Sequence, residues 1–219
     1  MLARFFAAWG GRADLWVFGY ASLIWRPEFE SAEHRPALVR GWHRALRMRS
    51  RVNRGTPAQP GLVFAMLPGG ACRGVVYRLP RAQVSAELER LWAREMPTGV
   101  YDPRLVRATT PHGDVQALAF TLSRRSEACL PPIADAPMLH ILRHASGRYG
   151  TTLDYLVETA HALRNQGVHD REIERLMRLA ARHGLLAAAA QPVLADDAAA
   201  AVGEPDDNPD TAPTGGSRN

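Results

Sequence analysis

The chain has 219 residues, of which 46% are hydrophobic, enough for one globular domain with a sizeable core. No apolar run approaches the roughly 18 residues of a membrane span, and the run within residues 1–11 is too short for a secretory signal. Cys72 and Cys129 fit neither a zinc-binding spacing nor a disulfide framework. We therefore expect reduced thiols, a cytoplasmic location and no membrane partner.

Charge is distributed unevenly along the chain. The formal net charge is +5, and every positive side chain other than histidine is an arginine. From residue 187 onward, six acidic residues and one arginine give −5, so the preceding body carries +10. A basic body could attract nucleic acid or small anions, whereas the acidic, alanine-rich tail is predicted to be disordered. Binding of nucleic acid therefore stays open at this point.

The first predicted strand leads into a short turn that carries polar groups. Residues 15–20 are almost continuously apolar, which predicts a buried strand. Residues 19–24 are predicted to form a strand-to-loop turn that Pro27 ends. Successive N–H groups after a glycine can form an anion-binding concavity, to which Ser22 would add a hydroxyl. A turn with no function is the alternative interpretation of the same residues.

Strand patterns continue through the first half of the chain. Alternation over residues 39–50 predicts a long strand, and the glycines and prolines of residues 53–61 predict a loop. Residues 62–67 and 74–79 are predicted to be two strands of a meander, joined through Pro68, Gly69 and Gly70.

The basic stretch on the predicted long strand has two interpretations. Arg47, Arg49 and Arg51 occupy alternate positions, so their side chains would make one face of this strand positive. Arg44 and Arg54 flank this stretch in the chain. Such a face could bind phosphate, but it lacks the interleaved aromatic residues of a single-strand binder. A solvated face, or capture of a small carboxylate substrate, is the favoured interpretation.

An amphipathic helix is predicted within residues 83–101. At about 100° per residue, Leu88, Leu91 and Trp92 fall on one stripe with the reference residue Val84, whereas Arg94 lies on the other side. Residues Pro97 and Gly99 are expected to end the helix.

Glu95 lies near the centre of that apolar stripe and in the last turn, where the helix macrodipole disfavours a negative charge. A buried carboxylate either has a cationic partner or has its pKa raised by desolvation. One interpretation is a helix-end glutamate that bends into solvent or pairs with an arginine. The other is a buried general base, because burial shifts the pKa of such a carboxyl towards neutral pH. The helix alone does not decide between them.

Helical patterns replace strands in the second half. Residues 105–109 and 115–122 are predicted to pair around a turn at residues 112–114, and Asp170 and Gly184 are predicted caps of the last helix. Helices are predicted over residues 138–144, 152–165 and 170–183. Strands followed by helices, with one helix inserted, indicate an α+β domain. His140 and His144 share a helix face without a third ligand, so no metal site is predicted.

A series of motifs runs through the chain in one order: GYASLIW, NRGTPAQPG, GVVYRL, LWAREMPTGVYDP, ALAFTLSRR and SGRYGTTLDYL. Together they resemble the ChaC branch of the γ-glutamylcyclotransferases, from about residue 16 to about residue 184. The family's usual glycine between Tyr20 and Ser22 is Ala21 here. Because alanine tolerates a positive φ poorly, we expect a slightly different loop at this position.

The resemblance implies a fold, an activity and a set of site residues. It implies a small mixed β-barrel with flanking helices, in an α+β catalytic domain over residues 14–186, between an N-terminal arm (1–13) and the tail (187–219). It implies cyclisation of the γ-glutamyl group of glutathione to 5-oxoproline with release of Cys-Gly, without metal or organic cofactor. Glu95 would be the general acid/base. The implied substrate-binding residues are Tyr20, Ala21, Ser22, Leu23, Ile24, Trp25, Tyr101, Arg54 and Tyr155.

Two alternatives accompany this expectation. The same reaction could act on other γ-glutamyl amino acids or on γ-glutamylamines. In a different class, the chain could be a non-catalytic regulator or a nucleic-acid-binding protein. The favoured expectation is a small-molecule substrate, glutathione or a γ-glutamyl peptide, with no nucleic acid and no membrane as partner.

Overall fold

Five strands close into a barrel in the computed structural model, which describes residues 1–11, 13–96 and 99–186. Around the barrel the strand order is β1-β3-β2-β4-β5, and β1 pairs with β5 in parallel while the other pairs are antiparallel. The strands are β1 (Leu15–Gly19), β2 (Glu33–Ser50), β3 (Gly61–Leu79), β4 (Asp102–Thr110) and β5 (Gly113–Thr121). The predicted α+β fold with a small mixed barrel is therefore confirmed. The predicted disordered tail lies outside the described residues.

The apolar face of each strand fills the barrel. Phe18, Leu46, Phe64 and Val76 are almost completely buried in one cluster that also receives the last two helices. Alternation along the strands places these side chains on one face, and burial of that face is the main favourable contribution to folding.

The meander predicted within residues 62–79 is wrong, because these residues form the single strand β3. Gly69 and Gly70 adopt φ values of 102° and 74°, opposite Gly41 at 82° on β2. The pairing register shifts there, and this irregularity bends the two strands without ending them. A proline-glycine pair gives the same local signal for a bulge as for a turn. The first part of β2, which the alternation did not predict, pairs with the second half of β3.

Six helical segments of four residues or more accompany the barrel in the described residues, together with a two-stranded sheet of β6 (Ser146–Gly147) and β7 (Gly150–Thr151). The helices are α1 (Leu2–Trp9), α2 (Ser22–Trp25), α3 (Val84–Glu95), α4 (Asp135–His144), α5 (Thr152–Asn165) and α6 (Arg171–Arg182). The segment α2 begins within residues 19–24, where a strand-to-loop turn was predicted. None of the described helices is long and apolar enough to cross a membrane.

Local signals fixed the ends of the last two helices. The bounds of α5 are those predicted, and a capping box of Thr151 and Asp154 fixes its start. The Asp170 carboxylate caps α6 by accepting from the N–H groups of Glu172 and Ile173. The C-cap is His183, one residue before the predicted Gly184, which follows it at a φ of 70°.

The helix α3 packs its predicted apolar stripe against the outside of the barrel. Val84, Leu88 and Leu91 are buried in a second cluster with residues of β1 and β5. Phe5 of α1 joins this cluster, and its ring centroid lies 5.9 Å from that of Trp92. The N-terminal residues therefore pack on the helix that carries Glu95.

Candidate active site

Glu95 is the last residue of α3 and lies where several elements meet. Its side chain is 14% exposed. The charge of Glu95 acts on the phenols of Tyr20, Tyr101 and Tyr155, which follow β1, precede β4 and lie on α5, respectively. The fold thus gathers one carboxylate and three phenols from four separate parts of the chain.

Both interpretations of Glu95 from the sequence describe part of its environment. Burial raises the pKa of the Glu95 carboxyl above its ordinary value. The Arg94 guanidinium opposes this rise, with its Nε 3.0 Å from Glu95 Oε1, while the charge of Glu28 adds to it. The carboxyl therefore has an arginine partner and still has a raised pKa, so it holds a proton more readily than a solvated glutamate.

The surrounding phenols are neutral hydrogen-bonding groups. Burial raises the pKa of each of Tyr20, Tyr101 and Tyr155 above the ordinary value. The Tyr20 hydroxyl donates to the carbonyl of Phe120 at 2.9 Å, and the Tyr155 hydroxyl accepts from the N–H of Phe64 at 3.4 Å. These bonds hold two of the rings in place beside the carboxylate.

The α2 segment begins next to this cluster. Ala21 is its N-cap with a φ of −145°, so this residue does not adopt the positive φ that alanine would resist. The Ile24 N–H donates to the Ala21 carbonyl at 2.9 Å. Ser22 and Leu23 are the first helical residues, whose N–H groups have no acceptor within a helix.

The side chains of the predicted loop residues point to different places. Leu23 is buried in the cluster between α3 and the barrel, so only its main chain is available to the site. The Ile24 carbonyl accepts from the Tyr77 hydroxyl at 3.3 Å. Trp25 donates from Nε1 to the Thr159 Oγ1 at 3.3 Å. The loop is thereby anchored to both β3 and α5.

Arg54 lies in the wall formed by Trp25 and Tyr155. Its guanidinium carbon is 5.2 Å from the ring centroid of Tyr155 and 6.0 Å from that of Trp25. Nη2 donates to Glu158 Oε2 at 3.3 Å, and Nη1 donates to the Thr151 carbonyl at 3.4 Å. Arg54 is buried, and through Tyr155 it borders the Glu95 cluster.

A close backbone approach fixes the Arg54 segment. The Arg54 carbonyl passes so near Gly61 that a Cβ there would lie 1.9 Å from its oxygen. The Thr152 hydroxyl donates to the same carbonyl at 3.2 Å, and it accepts from the N–H of Leu62 at 3.0 Å. Only glycine fits at position 61, which explains the glycine that ends this loop.

Arg94 and Arg44 contact residues of the candidate site, and the sequence interpretation gave neither of them a role there. The helical wheel placed Arg94 away from the stripe, but its guanidinium contacts both Glu95 and Ser22. The only sequence signal for a role of Arg94 was its position next to Glu95 in the chain. Arg44 is fully buried and donates to the Tyr20 carbonyl, while its Nη1 lies 2.5 Å from Asp170 Oδ2. No local signal identifies that partner, because Asp170 lies far along the chain.

The predicted positive face of residues 47, 49 and 51 does not form as expected. A register shift between Leu46 and Met48 breaks the alternation at Arg47, whose Nε donates to the Leu130 carbonyl at 2.7 Å. Arg51 lies beyond the end of β2. The shared parity on which that prediction depended is therefore absent.

An open cavity of about 350 Å³ adjoins the site at Trp25 and is lined otherwise by Ile24 and residues of α5, but it does not include Glu95. The cavity is lined in part by Glu158, whose pKa burial also raises, whereas the Glu95 carboxyl and the three phenols are not part of its lining. Across residues 1–11, 13–96 and 99–186, no three His, Cys, Asp or Glu side chains are grouped to hold a metal ion.

Sequence comparisons relate the chain to characterised proteins. It matches the model of the family described as ChaC-like protein over residues 15–183. It is 34% identical over 177 residues to the glutathione-specific gamma-glutamylcyclotransferase of Escherichia coli strain K12, covering 80% of this chain and 77% of the relative. It is 32% identical over 156 residues to human glutathione-specific gamma-glutamylcyclotransferase 1, covering 69% of this chain and 70% of the relative.

Structural comparisons agree with this relationship at the level of the fold. A crystal structure of the selenomethionine-labelled gamma-glutamyl cyclotransferase specific to glutathione from yeast is similar at a TM-score of 0.72 and 21% identity. The match covers 78% of this chain and 97% of that chain. A second crystal structure of the yeast protein matches at a TM-score of 0.67 and 19% identity, covering 78% and 99%.

Proposed function

The chain belongs to the ChaC-like family, and from this premise we propose that it is a glutathione-specific γ-glutamylcyclotransferase with Glu95 as its general acid/base. The observation that carries the proposal is the buried Glu95 carboxyl with its raised pKa, within a cluster of phenols at the end of α3. The curated relatives of Escherichia coli and human are named for this activity.

The proposed reaction needs a general base but no nucleophile from the enzyme. The α-amine of glutathione is protonated at neutral pH, so Glu95 first accepts a proton from it. The freed amine attacks the γ-carbonyl carbon, forming a C–N bond and a five-membered ring. The bond from that carbon to the cysteinyl nitrogen then breaks as Glu95 returns the proton to that nitrogen. The second proton of the ring nitrogen passes to the freed cysteinyl amine, which leaves as an ammonium group. The products are 5-oxoproline and Cys-Gly, and proximity within one substrate replaces an enzymic nucleophile.

The α2 segment stabilises the negative charge that develops on the γ-carbonyl oxygen in this proposal. We assign this stabilisation to backbone N–H groups of the segment from Tyr20 to Trp25, chiefly those of Ser22 and Leu23, which lack a partner within the helix. The same segment holds the glutamyl α-carboxylate in this proposal, and Tyr101 orients the substrate or Glu95.

Arg54 and Tyr155 form the far wall in this proposal. Arg54 binds the glycine carboxylate of glutathione, which competes with Glu158 for the guanidinium. The distance of 3.3 Å from Arg54 Nη2 to Glu158 Oε2, and the 46% exposure of the Glu158 side chain, support an exchangeable pair. Tyr155 lines the pocket between Arg54 and Glu95.

The boundaries and location follow the same proposal. We assign the catalytic unit to residues 14–186, in accord with the family match over 15–183. Both cysteines are free thiols, which supports the proposed cytoplasmic location.

The test is release of 5-oxoproline by the purified full chain, measured in parallel with reduced glutathione, γ-glutamyl-alanine and oxidised glutathione. We expect release from reduced glutathione alone. Release mainly from γ-glutamyl-alanine would keep the reaction and reassign the substrate. No release from any of the three would refute the proposed function, and salt-dependent binding of nucleic acid would then favour the non-catalytic alternative.

A further inference from the structure

Arg94 contacts both the Glu95 carboxylate and the segment 22–28 that follows β1. We propose that Arg94 is a positioning residue that fixes the Glu95 carboxylate relative to this segment, an inference that rests on the function proposed above. Glu95 ends α3, whereas the proposed oxyanion donors begin α2, so their relative position depends on tertiary contacts.

The guanidinium of Arg94 connects the two parts of the site directly. Its Nε lies 3.0 Å from Glu95 Oε1, and its Nη2 donates to Ser22 Oγ at 3.3 Å. Nε and Nη2 lie on the same planar group, so the carboxylate and the first turn of α2 are held in a fixed relation. The Arg94 side chain is only 19% exposed, which limits its exchange with solvent.

The third nitrogen of Arg94 holds the chain beyond α2. Nη1 donates to the carbonyl of Arg26, to the carbonyl of Pro27 at 3.2 Å and to Glu28 Oε2 at 3.0 Å. Glu28 has a φ of 56°, a left-handed conformation shared by no other described residue except glycines. The turn at Glu28 thus directs two carbonyls and one carboxylate onto a single guanidinium nitrogen.

Lysine cannot reproduce this arrangement. An ammonium is a compact charge on a flexible stem, whereas the guanidinium presents donors in a rigid fork. Lysine at position 94 would keep the positive charge near Glu95 but could not contact Ser22, Glu28 and Glu95 together. Charge and geometry can therefore be separated by experiment.

The charges around Glu95 predict opposite effects for two substitutions. Arg94 lowers the pKa of the Glu95 carboxyl, and Glu28 raises it, against the larger increase caused by burial. The other titratable groups facing Glu95 are Tyr20, Tyr101 and Tyr155, which stay neutral because burial raises their pKa values. Removing Arg94 should raise the pKa of Glu95, and removing the charge of Glu28 should lower it.

The experiment measures kcat and KM for glutathione against pH in Arg94→Gln, Arg94→Lys and Glu28→Gln. We expect Arg94→Gln to lose at least about tenfold in kcat and to move the acid limb of kcat/KM upward by about one pH unit. Arg94→Lys should leave the acid limb in place and still lose about fivefold in kcat. Glu28→Gln should move the limb downward by roughly 0.3 pH unit, since its charge is screened by solvent.

The matched control is Arg107→Gln, which removes one arginine from an exposed ion pair with Asp114 on the β4–β5 hairpin. It should leave the acid limb and kcat unchanged. A loss of packing alone would lower the amount of folded enzyme without moving the acid limb. The proposal is overturned if Arg94→Lys keeps the kcat of the wild type. It is also overturned if the acid limb of kcat/KM in Arg94→Gln coincides with that of the wild type.

Two further readouts keep this inference separate from the proposed function. If Arg94→Gln does not fold, Glu28→Gln remains as the test, because Glu28 is half-exposed and its substitution should leave the fold intact. An acid limb of kcat/KM that does not move in Glu28→Gln then refutes the proposal. If the wild type releases no 5-oxoproline, the function fails first. Carbon-13 NMR titration of the Glu95 carboxyl, assigned by its loss in Glu95→Gln, then tests the Arg94 contact directly. An unchanged Glu95 pKa in Arg94→Gln would show that the contact is absent.

Discussion

Glu95→Gln separates the catalytic role of the carboxyl from its effect on stability. Glutamine keeps the shape of the side chain and removes its basicity, so neither proton transfer of the proposed reaction can occur. General acid/base catalysis contributes about 10²–10⁴-fold, and kcat should fall by that factor, equivalent to about 3–5 kcal/mol in the activation free energy.

The same substitution should make the folded protein more stable at neutral pH. Because burial raises the pKa of Glu95 in the folded state, folding disfavours the ionised form. This penalty is complete above the raised pKa and disappears as the pH falls towards the unfolded value, below which the carboxyl is neutral in both states. Its size is about 1.4 kcal/mol for each pKa unit. Glutamine carries no such penalty, so the gain should be present at pH 7 and lost near pH 4.

The assays are 5-oxoproline release from glutathione and urea unfolding of the wild type and variant at both pH values. Glu89→Gln is the matched control, because Glu89 is exposed on the same helix, and it should retain activity within about twofold. Activity of Glu95→Gln above about a tenth of wild type would refute the assignment of the base. Lower stability of the variant at pH 7 would refute the reasoning about burial.

Three other substitutions test the rest of the site. Ser22→Ala should reduce kcat by less than about tenfold in the release assay, because the main-chain N–H groups carry the oxyanion; a loss equal to that of Glu95→Gln would make the hydroxyl catalytic. Arg54→Gln should raise KM for glutathione about tenfold or more with a smaller effect on kcat, since it removes a charged hydrogen bond to the substrate carboxylate; an unchanged KM would exclude that contact. Asp170→Ala should lower the free energy of unfolding in urea by about 3–5 kcal/mol, because it leaves the Arg44 guanidinium buried without its ion-pair partner; a loss below about 1 kcal/mol would show that the pair is no stronger than an exposed one.

Features that depend on near neighbours in the chain could be predicted from the sequence. The helical period alone placed Glu95 on the apolar stripe of α3, and Asp170 was recognisable as an N-cap. The motifs were sufficient to identify the family and hence the barrel, as the comparisons confirm. Periodicity and capping reflect interactions within one helical turn, so they are present in the order of residues itself.

Features that depend on distant partners required the tertiary structure. The glycines at 69 and 70 were compatible with a turn or a bulge until the pairing of β2 with β3 made them a bulge. The helical wheel did not reveal the contacts of Arg94, because its long side chain reaches the segment after β1. The raised pKa of Glu95 likewise depends on burial among phenols from three other elements. The order of residues alone therefore identifies the carboxylate that is the candidate base. The groups that surround this carboxylate are set by the closed barrel, because long-range packing fixes distances that local propensity does not encode.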